Sequence, residues 1–175
     1  MPPLISQPSK RQRLYDVAAH QFAARGYEGT SFGSIADEMG TSRGSIQHYI
    51  GSKAELAAEI LWHPLNTGCV PWKAHDFVDA RTFLLAVADG YSQREDVRAS
   101  LRLSRERTSL PFEAPDIAAE WCAHGAEPLA VPVADLTAEY IVAIALGLLA
   151  AADFSGAFGE LRARARRLVD ALRLP

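Results

Sequence analysis

Four short helices are predicted within residues 12–64, and the residues that bound them are the strongest structural signal in the sequence. Apolar residues recur every four positions from Leu14 to Phe22, which is the period of one helix face, and the run stops at Gly26. The pattern predicts a first helix over about 12–25. Because the connections between these helices are short, the segment is expected to form one compact helical unit.

Three further helices follow the first, each with a recognisable start or stop. Ser31 is placed to accept hydrogen bonds from the first-turn N–H groups of a short second helix, and Gly40 suits the left-handed conformation that ends it. A third helix is predicted over 43–50. The stretch 52–55 matches a capping box at the start of a fourth helix, which is expected to end at Pro64.

The rest of the chain is predicted to be helical as well, so the expected fold class is all-α. Helices are predicted over 79–91, 97–107, 136–152 and 158–172, with a shorter one around Ile117 and Trp121. The segment 136–152 is apolar almost all round, which is typical of a helix covered on several sides. It is shorter than the roughly 20 residues that a bilayer requires, so no membrane association is expected.

Composition and motifs argue against several classes of function. The net charge of −3 gives no general attraction to nucleic acid, so a DNA-binding surface has to come from local placement of basic side chains. Cys69 and Cys122 form no CxxC pair, and neither a metal nor a cofactor is expected. No P-loop or Ser/His/Asp arrangement is seen, so no enzyme activity is expected. Residues 1–12 lack the apolar core of a signal peptide, which favours a cytoplasmic location.

Residues 13–56 resemble the DNA-binding domain of the TetR family of transcriptional repressors. The resemblance implies an N-terminal three-helix helix-turn-helix domain over 1–52, followed by a helical regulatory and dimerisation domain over 53–175. It also implies a homodimer formed through 136–152 and 158–172, although both helices could instead pack inside one subunit. The likeness is carried, in order and spacing, by Ala18-Ala19, Phe22, Gly26-Tyr27, Thr30, Ile35-Ala36, Gly40, Ser42, Gly44, Tyr49, Ser52-Lys53 and Leu56.

A thinner likeness is to the γ-butyrolactone receptor branch of the same family. It implies that a small amphipathic molecule of the γ-butyrolactone type releases the protein from its DNA operator. The chain departs from the family at Gln47 and Ile50, where Tyr and Phe are usual, and its 121–136 stretch is shorter than in that branch. The likeness rests on 52–57, 101–104, 141–143 with Gly147, and 172–175.

The second helix of a helix-turn-helix pair lies in the major groove of double-stranded DNA, and here that helix is 43–50. Ile46 and Ile50 are expected to face the core, so that Arg43 can pair with guanine and Gln47 with adenine. Gly44 has no Cβ and would let the backbone approach DNA closely. Nearby hydroxyl and ammonium groups suit phosphate oxygens. The predicted DNA-binding residues are Arg11, Thr30, Ser42, Arg43, Gly44, Ser45, Gln47, His48, Tyr49 and Lys53.

The C-terminal half is expected to contain an apolar pocket with a few polar groups for a small-molecule inducer. Trp121 is the strongest single candidate because the lactone-receptor branch tends to place a pocket tryptophan there. The Trp121 N–H and the Tyr91 hydroxyl are the polar groups expected to meet a ligand. Each candidate could equally be an ordinary core residue. The candidate ligand-binding residues are Phe83, Val87, Tyr91, Leu101, Trp121, Tyr140 and Ile144.

Two alternatives to a ligand-responsive repressor stay open. Basic and acidic side chains balance over residues 1–63, which is compatible with a helical scaffold that binds other proteins and no DNA. The short 121–136 stretch is compatible with a repressor that has lost its ligand. A titration with duplex DNA separates the scaffold from a repressor, because phosphate contacts make binding fall steeply with salt.

Overall fold

A computed structural model describes residues 9–129 and 137–174, and every regular element in this part of the chain is helical. The all-α prediction is therefore confirmed. Leu136, the first residue of the predicted helix 136–152, lies outside the described residues. Short 3₁₀ turns lie at Ala74–Asp76, Arg107–Ser109 and Phe158–Glu160. The α-helices are α1 (Lys10–Arg25), α2 (Phe32–Met39), α3 (Arg43–Ile50), α4 (Lys53–Asn66), α5 (Ala80–Gln93), α6 (Glu95–Arg105), α7 (Ile117–Gly125), α8 (Ala138–Ser155) and α9 (Leu161–Ala171).

The residues predicted to start and stop the first helices do so. The Ser31 hydroxyl accepts from a first-turn backbone N–H of α2 at 3.0 Å, and Gly40 ends α2 with φ of 64°. Ser52 and Glu55 form the predicted capping box at the start of α4. Gly26 follows α1 with φ of 73°, a region that residues with a Cβ rarely adopt. These caps support helices that would be marginal on their own because they are so short.

The first three helices, which we call the head, share one core. α1 packs on α2 and α2 packs on α3. Phe22, Ile35 and Ile46 contribute one buried side chain from each helix, with exposures of 0%, 0% and 1%. Burial of such side chains stabilises each helix by roughly 1.5–3 kcal/mol per residue, far more than local helix propensity. Tertiary packing therefore fixes the direction in which α3 faces.

The prediction that Pro64 ends α4 is wrong. The helix continues to Asn66, with Pro64 buried in its last turn. A proline removes one N–H donor, but its carbonyl still accepts from the Cys69 N–H at 3.0 Å. The Thr67 N–H donates to the His63 carbonyl at 3.1 Å. Pro64 therefore costs the helix one hydrogen bond, to the carbonyl four residues earlier, while its ring is buried and its own carbonyl is satisfied.

Helices α4–α9 form the body, in which α5 packs on both α8 and α9. α9 directs Leu161, Ala165 and Val169 into the subunit, and all three are buried. α8 is the one described helix long and apolar enough to cross a membrane, judged by length and composition alone. That is weak evidence, because the core helix of a soluble protein passes the same test. Since 33% of its residues are buried, α8 keeps an apolar face that the described residues leave uncovered.

The head lies directly against the body. α1 packs along α6, and α4 packs on α6 as well. The division between residues 52 and 53 remains a prediction, because the packing of helices continues across it. A change in the position of α6 would therefore reach α1 through direct contact.

Candidate nucleic-acid interface

One side of α3 is uncovered and polar. Ile46 is buried, as predicted, while Arg43, Gly44, Gln47 and His48 are exposed on the other side of the helix. A Cβ built on Gly44 would meet no atom of the described chain within 4 Å. Packing within the subunit therefore does not require a glycine here, and the helix backbone is accessible to an outside molecule at this position.

Ser42, Ser45 and Tyr49 border this surface. The Ser42 hydroxyl caps α3 by accepting from the Ser45 N–H at 3.2 Å, and it can still donate to a phosphate oxygen. Tyr49 is 51% exposed, with its ring edge-on to that of His48 at a centroid distance of 6.1 Å. Ile50, which was expected to face the core, is only half-buried. The uncovered side of α3 therefore presents hydroxyl, imidazole, amide and guanidinium groups together.

A concave surface with a volume of about 360 Å³ lies beside α3. Helix N-termini expose N–H groups and the positive end of the helix dipole, so a surface built from two of them favours an anion such as phosphate. Ser31 was missing from the predicted set. Its capping role could be read from the sequence, but its place beside α3 depends on tertiary packing. The lining residues are Arg43 and Gln47 of α3 with Ser31, Phe32, Gly51, Ser52 and Lys53 from the starts of α2 and α4.

Lys53, the first residue of α4, connects the body to the head. Its ammonium donates to the carbonyls of Tyr27 and Thr30 at 3.0 Å and 3.1 Å, and it lies 3.9 Å from the centroid of the Tyr27 ring. An ammonium has three donors, so one is left for a phosphate oxygen. Lys53 thus fixes the start of α4 against the loop after α1 and still contributes a positive charge to the concave surface.

The structure corrects the predicted phosphate contact of Thr30. This residue is 1% exposed, and its hydroxyl donates to the Gly26 carbonyl at 2.9 Å. A buried hydroxyl that already closes a turn is out of reach of DNA. Thr30 therefore acts in the structure of the head and is removed from the DNA-binding set.

Arg11 lies in the first turn of α1 and pairs with Glu59 of α4 at 2.9 Å. Its side chain is 67% exposed. A solvent-exposed pair of this kind contributes little to stability, so the guanidinium can exchange its partner for a phosphate at small cost. The predicted contact between Arg11 and DNA stays a prediction.

Comparison with known proteins identifies the head. Residues 14–60 match the family model described as "Bacterial regulatory proteins, tetR family". This segment is a tetR-family helix-turn-helix domain. A 61-residue stretch is 41% identical to the HTH-type transcriptional repressor KstR2 of Mycolicibacterium smegmatis, covering 34% of this chain and 30% of that protein. The match thus spans less than a third of that relative's length.

The comparisons also extend over the body. The chain is 29% identical over 172 residues to the HTH-type transcriptional regulator BetI of Paraburkholderia phytofirmans, covering 98% of this chain and 80% of that protein. The TetR-family protein CprB from S. coelicolor A3(2) aligns with a TM-score of 0.65 and 19% identity, over 91% of this chain and 86% of that one. A gamma-butyrolactone receptor described as an ArpA-like protein aligns with a TM-score of 0.63 and 19% identity, over 92% and 96%. At this identity the likeness shows that the fold of the tetR regulators continues through the body.

The seven predicted ligand-binding residues do not form one pocket in the described part of this tetR-type body. Phe83 and Trp121 pack edge to face in the core, with ring centroids 5.2 Å apart. Tyr140 is 56% exposed on α8, and Ile144 is half-buried on the same helix. The expectation of a shared pocket is thereby corrected. Phe83, Val87, Tyr91, Leu101 and Trp121 are buried core residues.

The space beside Trp121 is small. The indole N–H donates to the Pro71 carbonyl at 2.7 Å, so the polar group expected to meet a ligand is already satisfied. A cavity of about 40 Å³ is lined by Trp121 and Leu101 together with Leu146 and Leu149. Pockets for small molecules have volumes of roughly 300–1,000 Å³. The side chains of the core have filled the place where the family likeness predicted an inducer.

Two residues that the sequence did not single out join α6 to the end of α1. The Arg102 guanidinium donates to the carbonyls of Ala23 and Ala24 at 3.1 Å and 2.9 Å. Glu106 accepts from the Tyr27 N–H at 2.8 Å and from Arg102 Nε at 2.9 Å. We call Arg102 and Glu106 the α1 anchor. Their spacing of four residues on one helix was visible in the sequence, but their partners lie nearly eighty positions away.

Gly26 has a second reason to be glycine at the α1 anchor. A Cβ on this residue would lie 2.2 Å from Glu106 Oε1, in addition to the strain of its positive φ. The carboxylate therefore occupies the space that a side chain would need. The anchor satisfies two carbonyls in the last turn of α1, which the C-terminal end of a helix otherwise leaves without partners, and the Tyr27 N–H just after the helix.

Proposed function

We propose that this protein is a transcriptional repressor that binds a pseudo-palindromic operator in double-stranded DNA as a homodimer, in the cytoplasm. The observation that carries the proposal is the uncovered polar side of α3, next to a concave surface built from the N-terminal ends of α2 and α4. Its tetR-family relatives are transcriptional regulators. A scaffold that binds other proteins does not need a glycine at position 44, whereas close approach of the α3 backbone to DNA does.

Base recognition is assigned to α3 itself. Arg43 and Gln47 share the concave surface, with Arg43 suited to guanine and Gln47 to adenine. Gly44 lets the helix backbone approach the base edges. The remaining contacts position the protein on the phosphate backbone without reading sequence. Those positioning residues are Arg11, Ser42, Ser45, His48, Tyr49 and Lys53.

The homodimer is proposed to form mainly through α8. Its exposed face combines the small residues Ala143, Gly147 and Ala151 with the large apolar Phe154, which is 97% exposed. An uncovered apolar face of this kind marks an interaction surface. The apolar residues of α9 face its own subunit, so α9 would contribute through its edges at Leu168 and Leu172, which are half-buried. Two heads on one twofold axis match two half-sites of an operator.

The filled core favours a second candidate over release by a γ-butyrolactone-type inducer. A lactone of that class needs a cavity several times larger than the 40 Å³ beside Trp121. A repressor without a lactone response fits the described residues better. Operator binding measured with and without a saturating γ-butyrolactone is expected to be equal. Release of the operator by the lactone would show that the core opens and would favour the inducible repressor instead.

DNA binding is tested by selecting duplexes from a random library with the purified full chain. The expected result is a pseudo-palindrome whose half-sites are spaced by one helical turn of DNA or a multiple of it. Binding to the selected duplex should weaken by several orders of magnitude between about 50 mM and 200 mM salt if several phosphates are contacted. A library that shows no enrichment, or binding that does not depend on salt, would contradict the proposal.

A further inference from the structure

A polar cavity of about 430 Å³ lies where the body meets the end of α1. Its size falls in the range of small-molecule sites, unlike the space beside Trp121. It lies next to the α1 anchor and shares both anchor residues. The walls are formed by Tyr91, Arg102, Arg105, Glu106, Asp153 and Phe158, with residues 23–24 of α1 at one side.

The acceptor groups of this cavity are already occupied. Both Glu106 oxygens accept, one from the Arg102 Nε and one from the Tyr27 N–H. The Asp153 carboxylate accepts from the Tyr91 hydroxyl at 2.7 Å. Burial, together with this hydrogen bond, raises the pKa of Tyr91 to about 12, so the hydroxyl keeps its proton at neutral pH. Each carboxylate is also paired with an arginine, Glu106 with Arg102 and Asp153 with Arg105, so neither is left to hold a further cation.

The donor groups are not used up in the same way. Arg105 reaches the Tyr91 hydroxyl at 3.5 Å and Asp153 at 3.4 Å, both near the limit of a hydrogen bond, and its side chain is 46% exposed. Arg102 bonds its described partners through Nε and Nη1. Its Nη2 donors face no partner among the described residues. A guanidinium carries five donors, so the cavity offers an excess of N–H groups in the paired geometry that suits an oxyanion.

We propose that this cavity binds a small oxyanion, with a carboxylate or phosphate group, between Arg105 and Arg102. Two oxygens of the ligand replace the long contacts of Arg105 with short charge-assisted hydrogen bonds. The rings of Phe158 and Tyr91 leave room for a short apolar part of the same molecule. The cavity shares Arg105 with the small space beside Trp121, but Trp121 itself does not line it.

A ligand at this site would act on the head through Arg102. An oxyanion held by Nη2 would draw the planar guanidinium as a whole away from the carbonyls of residues 23–24 and from Glu106, which bind its Nη1 and Nε. Weaker bonds to α1 loosen the fixed orientation of the head against α6. Bound anion is therefore expected to lower operator affinity, and this regulatory step rests on the proposed function. The binding of the anion itself does not.

Anion binding is tested by calorimetry on the full chain without DNA, using succinate in one titration and inorganic phosphate in another, at constant ionic strength. At least one probe is expected to bind saturably, with a Kd of about 1 mM or tighter. The two titrations distinguish a carboxylate ligand from a phosphate ligand. Absence of saturable binding for both probes would overturn the proposal.

Two arginine variants locate the site. Arg105→Gln removes the loosely held guanidinium and is expected to weaken binding at least tenfold. Arg107→Gln is the matched control, because Arg107 pairs with Asp116 and does not line the cavity. Thermal unfolding of both variants checks that they fold. Equal binding to the wild type and to Arg105→Gln would overturn the site.

The effect on the head is read from operator affinity at saturating probe. The probe is expected to lower the operator affinity of the wild type roughly fivefold or more and to leave that of Arg105→Gln unchanged. If the anion binds but the affinity does not change, the regulatory step is wrong while the site stands. If the protein binds no duplex at all, the proposed function fails and the calorimetry still decides the site.

Discussion

α3 and α8 are both helices with one covered and one uncovered side, and the two uncovered sides have opposite chemistry. The free side of α3 carries Arg43, Gln47 and His48, while that of α8 carries Ala143, Ala151 and Phe154. Each helix is held by buried residues on its other side, such as Ile46 and Leu149. The same structural plan thus presents one surface suited to a charged partner and one suited to an apolar partner.

The difference explains why different partners are proposed for the two helices. A polar surface is stable in water and would gain from DNA through charge and hydrogen bonds. An apolar surface loses free energy for every exposed square ångström, at about 25 cal/mol, so α8 would gain at all times from the proposed second copy. DNA binding would be reversible and sensitive to salt, whereas the dimer would be permanent.

The largest effect is expected from a charge in the free face of α8. Ala143→Asp would bury an unpaired carboxylate at the twofold axis, which costs about 3–5 kcal/mol and raises the dimer dissociation constant more than a hundredfold. Sedimentation equilibrium measures the change. Ala123→Asp, on the exposed side of α7, is the matched control and is expected to leave the dimer intact. Equal behaviour of the two variants would remove α8 from the interface.

The next effect concerns the covered side of α3. Ile46→Ala removes a side chain that is 1% exposed and is expected to destabilise the protein by about 2–5 kcal/mol. Urea unfolding measures the loss. Gln47→Ala, the next residue on the exposed side, should change the free energy of unfolding by no more than about 0.5 kcal/mol. A large loss for Gln47→Ala would mean that this side is packed and not free to meet DNA.

A smaller and more selective effect is expected on the free side of α3. Arg43→Ala should weaken binding to the selected operator by about 1–3 kcal/mol for each base that the guanidinium no longer reads. The stability of the protein should not change, because the side chain is exposed. Fluorescence anisotropy with the operator and with a scrambled duplex separates base recognition from phosphate binding. Arg43→Lys keeps the charge, so it should retain binding to the scrambled duplex and lose preference for the operator.

Local chemistry made the head predictable from its sequence. Ser31, Gly40 and Ser52 act where they stand in the chain, so their roles follow from a few neighbouring residues. The period of apolar residues placed Ile46 in the core for the same reason. The role of Thr30 was not predictable in this way, because its hydroxyl closes a turn onto Gly26 and residue type alone does not specify such a turn.

Long-range packing made the body harder to predict. Trp121 was expected in a pocket, but whether a large side chain lines a cavity or fills it depends on neighbours such as Phe83, which is far away in the chain. The α1 anchor was missed for the same reason. Arg102 and Glu106 look like an ordinary surface pair on the predicted helix 97–107 until the end of α1 is placed beside them.

The smallest expected effect compares two glycines, one on each free surface. A Cβ on Gly44 or on Gly147 would meet no atom of the described chain within 4 Å, and neither residue has a positive φ. Alanine favours a helix over glycine by up to about 1 kcal/mol, so Gly44→Ala and Gly147→Ala should each raise the free energy of unfolding of the single subunit slightly.

The two substitutions should weaken different interactions. Gly44→Ala is expected to weaken operator binding without changing the dimer, because its methyl group would stand between α3 and DNA. Gly147→Ala is expected to weaken the dimer without changing the contact of one head with a half-site. Anisotropy with a half-site duplex and sedimentation of each variant measure the two quantities separately, and a Gly44→Ala variant that binds operator as well as the wild type would show that α3 does not approach DNA closely at this position.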